Sequence, residues 1–252
     1  TLLMFVDRIT GYVYGYIPDT GKTYQISNTV VPGVHDAYIF NNGKSILYRY
    51  TSDGDTPSIA SLIATIPHVL PTAQAEPLGN TAYLPVQVTS VALSKNNRTI
   101  SYLVPGDKGS TIYTLGEKGP ETIASSPFKE WTLSYGGDTL YATSKPSAYV
   151  EGSLVRVPSF EFVIGDKTGL MSTPSKEGGL FLNSMMSDKG LVTFLSNTRK
   201  QTIIHATTLA SKCGWGQNQF LVCGVPTSLP QKTEGLPDDW FQGRYLFNDS
   251  LK

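Results

Sequence analysis

Apolar and polar residues alternate along this chain in short runs, and the runs come in pairs around a turn. Five such pairs stand out: AYIFNNGKSILYRY from Ala37, VALSKNNRTISYLV from Val91, TLSYGGDTLYATS from Thr132, MMSDKGLVTFLS from Met185 and GWGQNQFLVCGV from Gly214. Each reads as strand, Gly/Asn-rich turn, strand, the turn supplying the positive φ that a tight hairpin needs. With Phe40, Ser94, Ser134, Ser187 and Trp215 as matched positions, an apolar residue follows six places later at Ile46, Ile100, Leu140 and Leu221, and five later at Val192. Two places further come Tyr48, Tyr102, Ala142, Cys223 and Phe194. Alternate residues of a strand share a face, so these pairs are predicted to point into one packed layer.

The matched positions lie 54, 40, 53 and 28 residues apart. Their mean agrees with the roughly 40–50 residues of a four-stranded propeller blade. The predicted fold is all-β: a β-propeller of four-stranded antiparallel blades, six fitting the spacing best within a range of five to seven. Extra length is assigned to the Pro-rich IPHVLPTAQAEPLGN and to SKPSAYVEGSLVRVPSFEFVIGDKTG, read as a long hairpin insertion, while the spacing of 28 calls for a compact unit. MFVDRITGYVYGYIPDTGKTYQIS reads as three further strands, with RYLFNDSLK a candidate to lie beside them in a closing blade; at this length residues 1–252 are expected to form one domain. SIASLIATIP, Ser58 to Pro67, has helical spacing, but its Ile content favours an outer strand.

Composition agrees with this picture. Charged residues make up 16% of the chain, against 14 Tyr, 24 Gly and 16 Pro, a balance of strands and tight turns. Lys plus Arg equals Asp plus Glu at 20 each, which leaves no long-range field for nucleic acid. No apolar run reaches the ~18 residues of a membrane-spanning helix, so an anchor, if there is one, lies outside this segment. The chain starts at Thr1 without Met and is read as processed or trimmed.

Cys213 and Cys223 face the same side of two antiparallel strands around a turn centred at Asn218, which brings them nearly opposite. A disulfide follows from that register; two small buried thiols are the alternative. Neither Cys has the further ligands of a structural zinc site, and the spacing is not that of a redox C-x-x-C pair. A bridge would favour an extracytoplasmic compartment.

Candidate chemistry is sparse. His35, His68 and His205 are isolated. There is no nucleophile elbow, phosphate loop or dinucleotide fingerprint, so no catalytic residue, cofactor or metal ligand is assigned. In PDDWFQGRYLFND, Asp238, Asp239, Trp240 and Arg244 could form a sugar subsite; a capped turn with Trp240 filling space between blades is the favoured reading. Asp53 and Asp55 flank Gly54 like part of a calcium loop, but the other spaced ligands are missing and a hairpin turn is preferred. Asp7, Asp36, Asp138 and Asp188 fall near strand ends or turns, and a glycosidase would need two such acids to converge.

The S-x-x-N/G-x-x-I-x-Y pattern of the hairpins resembles that of TolB-like and WD-repeat-like β-propellers over about residues 2–252. The segment with Cys213, Cys223-Gly-Val-Pro226, Pro237-Asp238-Asp239-Trp240 and Gly243 resembles bacterial surface propellers that carry an N-terminal membrane anchor. The resemblance implies an extracytoplasmic, envelope-associated protein and brings no catalytic residues. The expected role is a non-enzymatic binding or scaffold module that recognises protein or glycan through a propeller rim. A glycosidase- or sialidase-like enzyme and a subunit of a larger surface assembly are the alternatives.

Overall fold

The computed structural model describes residues 2–52, 58–85, 87–116, 119–229 and 233–252. Asp53, Gly54 and Asp55, the calcium-loop candidate, lie outside them. The chain is a six-bladed β-propeller, every sheet an antiparallel meander. Blade 1 holds β1 (Leu3–Val6), β2 (Val13–Ile17) and β3 (Lys22–Gln25); blade 2 holds β4 (Val34–Phe40), β5 (Ser45–Ser52), β6 (Ser58–Thr65) and β7 (Gly79–Tyr83). Blade 3 runs through β8 (Ser90–Leu93), β9 (Ile100–Gly106), β10 (Gly109–Gly116) and β11 (Gly119–Ser126). Blade 4 comprises β12 (Trp131–Gly136), β13 (Thr139–Ser144), β14 (Glu151–Val157) and β15 (Glu161–Thr168). Blade 5 comprises β16 (Met171–Pro174), β17 (Phe181–Ser187), β18 (Gly190–Ser196) and β19 (Gln201–Ile203); blade 6 has β20 (Cys213–Trp215), β21 (Leu221–Pro226) and β22 (Asp249–Leu251). Blades 2 to 5 thus have four strands each, while blades 1 and 6 show three.

The first strand of a blade is its innermost, since β8, β12 and β16 lie side by side. Consecutive blades bury apolar cores between their faces. Ile46 and Tyr48 close against Val13 and Ile26 between blades 1 and 2, and Leu47, Ile100 and Tyr102 meet between blades 2 and 3. Leu103, Leu133 and Ala142 meet between blades 3 and 4, Tyr141 and Phe181 between 4 and 5, and Leu182, Trp215 and Cys223 between 5 and 6. Most of the predicted inward positions are core, with Ile46, Tyr48, Ile100, Tyr102 and Ala142 fully buried, while Val192 and Leu221 are half-buried. The segment with helical spacing is strand β6, as expected.

RYLFNDSLK ends in β22, which pairs with β21 in blade 6 and not with the strands of blade 1. Two further readings, both of strand order, are corrected. MMSDKGLVTFLS is the hairpin of β17 and β18, the second and third strands of blade 5, and not a first–second pair. The matching turn in blade 5 is Pro174–Phe181, where Ser175 receives the backbone as Ser94 does in blade 3: the Ser175 N–H donates to Leu180 O at 2.8 Å and the Ser94 N–H to Thr99 O at 3.0 Å. With Phe40, Ser94, Tyr135, Ser175 and Trp215 as equivalents, the spacings become 54, 41, 40 and 40, and the compact unit disappears. The supposed hairpin insertion around SKPSAYVEGSLVRVPSFEFVIGDKTG is the regular outer half of blade 4, β14 and β15. Both errors share one cause: every strand pair in a meander has the same alternation, so pattern alone does not number the strands within a blade.

Candidate functional site

Between blades 3 and 4 the buried core opens outward into a cavity of about 530 Å³. Its walls are mostly carbon: Pro127, Phe128, Trp131, Val150, Val155, Phe160 and Phe162. The shape comes from the loop joining β11 to β12. Ser126 Oγ accepts hydrogen bonds from Trp131 Nε1 at 2.9 Å and from the Phe128 N–H at 3.1 Å, while Ser110 Oγ donates to Phe128 O at 2.7 Å. The clamp needs a glycine beneath it: at Gly109, φ +140°, a Cβ would come 2.0 Å from Ser126 O. Trp131, 8% exposed, forms the floor. Phe128 meets it edge-on at 5.8 Å and Phe160 lies 6.1 Å away, its backbone held at φ 53° in the β14–β15 turn. Phe162, opposite Val155 across the β14–β15 ladder, is 69% exposed and Phe128 66%.

At the mouth, Lys145 Nζ and Glu130 Oε1 pair at 2.8 Å with both side chains largely in water, where such a pair contributes little stability. The site can therefore bury apolar groups, and Lys129, Ser144, Glu151 and Ser153 complete its lining. None of Phe128, Trp131, Phe160 or Phe162 was singled out from the sequence. The available signal was an excess of large apolar side chains at turns, in SPFKEW and SFEF, where hairpin geometry asks for none.

The residues that were singled out lie elsewhere. Asp238 and Trp240 sit in α1 (Asp238–Phe241), a single turn after β21. Asp238 Oδ2 accepts from the Ala148 N–H, tying that turn to the β13–β14 connection. Asp239 Oδ1 accepts from Arg244 Nη1 at 2.9 Å, and Trp240 packs against the core between blades 5 and 6. One carboxylate oxygen of each of the two acids is thus engaged by the fold. Cys213 and Cys223 are directly opposite in the β20–β21 ladder and form a disulfide, their Cα atoms 4.0 Å apart. Because the Cys223 backbone bonds to Lys252 on the far side, the two cysteines form the closer, non-hydrogen-bonded kind of antiparallel pair.

The four acids weighed for catalysis are dispersed. Asp7 Oδ1 accepts from the Ile9 N–H and from both the N–H and hydroxyl of Thr10, a local turn cap whose hydroxyl bond, foremost, holds the carboxyl below its ordinary range. Asp36 pairs with Arg49 at 2.8 Å on β4 and β5. Asp138 and Asp188 occupy the β12–β13 and β17–β18 turns, which belong to successive strand pairs of different order and hence to opposite rims. His35 Nε2 lies 2.8 Å from Thr51 Oγ1. Among the described residues, no three His, Cys, Asp or Glu side chains cluster as a metal set, and no helix is long and apolar enough to cross a membrane.

No protein-family profile and no curated protein matches the sequence. Solved structures do. TolB from Acinetobacter baumannii aligns with 90% of this chain and 58% of its own at TM-score 0.54 and 10% identity. A prolyl endopeptidase aligns with 86% of this chain and 35% of its own at 0.56 and 11%, and the tricorn protease with 89% and 27% at 0.53 and 13%. The chain thus spans between about a quarter and three fifths of these proteins. Such likenesses establish the fold, a β-propeller like those of TolB and of these peptidases.

Proposed function

We propose that the chain is a non-enzymatic binding module of the bacterial cell envelope that recognises a protein through the groove between blades 3 and 4. The observation that carries this reading is the groove's chemistry: a 530 Å³ cavity walled by Phe128, Trp131, Phe160 and Phe162, with Lys145 paired to Glu130 and with Lys129 and Glu151 completing its lining. Aromatic anchors in a concave apolar site match a partner's buried side chain. A glycan would call for a planar array of amides and acids around the rings, and Asp7, Asp36 and Asp239 are tied to a turn and to ion pairs away from the groove instead. The Cys213–Cys223 bridge supports an oxidising, extracytoplasmic location. Photo-crosslinking from p-benzoylphenylalanine at position 162 in cells of the source organism tests the reading, with the same probe at Tyr149, 80% exposed, as a surface control. One discrete protein adduct from position 162 and none from 149 is expected. Glycan hydrolysis that disappears in Asp138→Asn or Asp188→Asn would overturn it and favour the enzyme; stable homo-oligomers crosslinked at 162 would favour the assembly subunit.

A further inference from the structure

The turns that join first to second strands, β4–β5, β8–β9, β12–β13, β16–β17 and β20–β21, share one rim of the propeller, because these blades repeat one meander with the first strand innermost. Neighbouring turns touch. The Asn41 N–H donates to Asn97 O across blades 2 and 3, and the Gly137 N–H to Lys176 O at 3.1 Å across blades 4 and 5. Charge is unevenly shared along this rim. The turns of blades 2 and 3, NNGK from Asn41 and SKNNR from Ser94, carry Lys44, Lys95 and Arg98 and no acid. Those of blades 4 and 5 set Asp138 and Glu177 against Lys176, and that of blade 6 is uncharged. Lys44, Lys95 and Arg98 are all exposed, and among the described residues no carboxylate pairs with any of them.

The groups between these cations are amides with capacity to spare. Asn96 Oδ1 accepts from Ser94 Oγ at 2.8 Å and from the Arg98 N–H at 2.9 Å, an Asx turn that fixes the backbone at Arg98 and leaves the Asn96 NH2 group to donate. Asn42 and Asn97 are exposed at φ 55° and 54°, and among the described residues their side-chain amides make no hydrogen bond, so each can both donate and accept. Two turns bonded to each other thus present three unpaired cations and three asparagine amides on one surface. A matching partner carries anionic groups with hydroxyls beside them.

We propose that the rim formed by the β4–β5 and β8–β9 turns binds an acidic polysaccharide. Carboxylates of the polymer pair with Lys44, Lys95 and Arg98, and its ring hydroxyls exchange hydrogen bonds with Asn42, Asn96 and Asn97. A single-stranded nucleic acid would call for rings on which its bases stack, and these two turns contain none; an acidic peptide brings carboxylates without the adjoining hydroxyls. The site is separate from the groove between blades 3 and 4 and does not depend on it.

Polygalacturonate is the probe, with its methyl ester as the uncharged glycan and polyglutamate as the acidic peptide. Isothermal titration calorimetry at low salt should show saturable binding of polygalacturonate alone, weakening as salt is added. Lys44→Gln/Lys95→Gln/Arg98→Gln should lower the affinity by about a hundredfold with an unchanged thermal melt. Lys22→Gln/Lys108→Gln/Lys189→Gln removes equal charge from exposed positions on β3 and the opposite rim and should change it by less than about threefold. Asn42→Gly/Asn97→Gly keeps the positive φ of both turns and should lower it by about tenfold. The proposal is overturned by absence of saturable binding, by affinity retained in the first triple variant or lost equally in the second, by an asparagine variant that binds as the wild type does, or by the methyl ester or polyglutamate binding as tightly as polygalacturonate.

Discussion

Removing the Cys213–Cys223 bridge should cost stability by an amount set mainly by the loop it closes. The cysteines are ten residues apart in sequence, and loop-closure entropy for that length amounts to about 2.7 kcal/mol at 25 °C. With an unfolding entropy of ~2.1 cal/mol/K per residue, a chain of 252 residues loses about 5 °C in melting temperature. The loss has an address. Among the described residues blade 6 shares its apolar core with blade 5, through Trp215, Cys223 and Val225, so the released entropy should appear first as local opening of β20, β21 and β22. Cys213→Ala/Cys223→Ala and the reduced wild-type protein should show the same shift by differential scanning calorimetry, together with faster exchange of the Val222 and Cys223 amides. A shift below about 1 °C, or unchanged exchange in blade 6, would refute the reasoning, because it would mean that the hairpin is equally constrained without its bridge.

Other consequences are as direct. Phe162→Glu should leave stability within about 0.5 kcal/mol, as expected for a side chain standing mostly in water, while lowering the affinity of the apolar dye anilinonaphthalene sulfonate for the groove by about tenfold, some 1.4 kcal/mol; unchanged dye binding would show that the groove is not the dye's site. Arg49→Ala removes two charged hydrogen bonds, to Asp36 Oδ2 and to the carbonyl of buried Val88, and should cost about 2–3 kcal/mol in urea unfolding. Arg49→Lys should recover only part of this, since one ammonium cannot reproduce the fork. The depressed Asp7 carboxyl makes its turn complete above the ordinary value of 3.8 and lost as pH falls through the lower folded value; NMR titration should therefore show the Thr10 amide moving only below about pH 4, and Asp7→Asn should abolish that movement.

Much of the architecture is legible in the sequence because it rests on two-residue alternation and turn chemistry. Tyr48 and Tyr102 were placed in the core by counting from Asn-rich turns, and both are fully buried. What counting could not do was tell a first strand pair from a second, which is why MMSDKGLVTFLS was matched to the wrong turn. The cysteines were legible for a local reason: nine intervening residues around a tight turn fix their register. The groove was not, because its residues come from the β11–β12 loop, β14 and the β14–β15 turn, and their convergence depends on the angle between two blades. Phe160 and Phe162 look like core residues in sequence, and only one of them, Phe160, packs against Trp131.

The five apolar cores each join blades that are consecutive in the chain. A polypeptide arranged in this way can set down its sheets in order of synthesis or export, each finding a finished surface left by its predecessor. The covalent clasp falls on the sixth of these sheets, where it fastens two strands already laid against the finished face of the fifth.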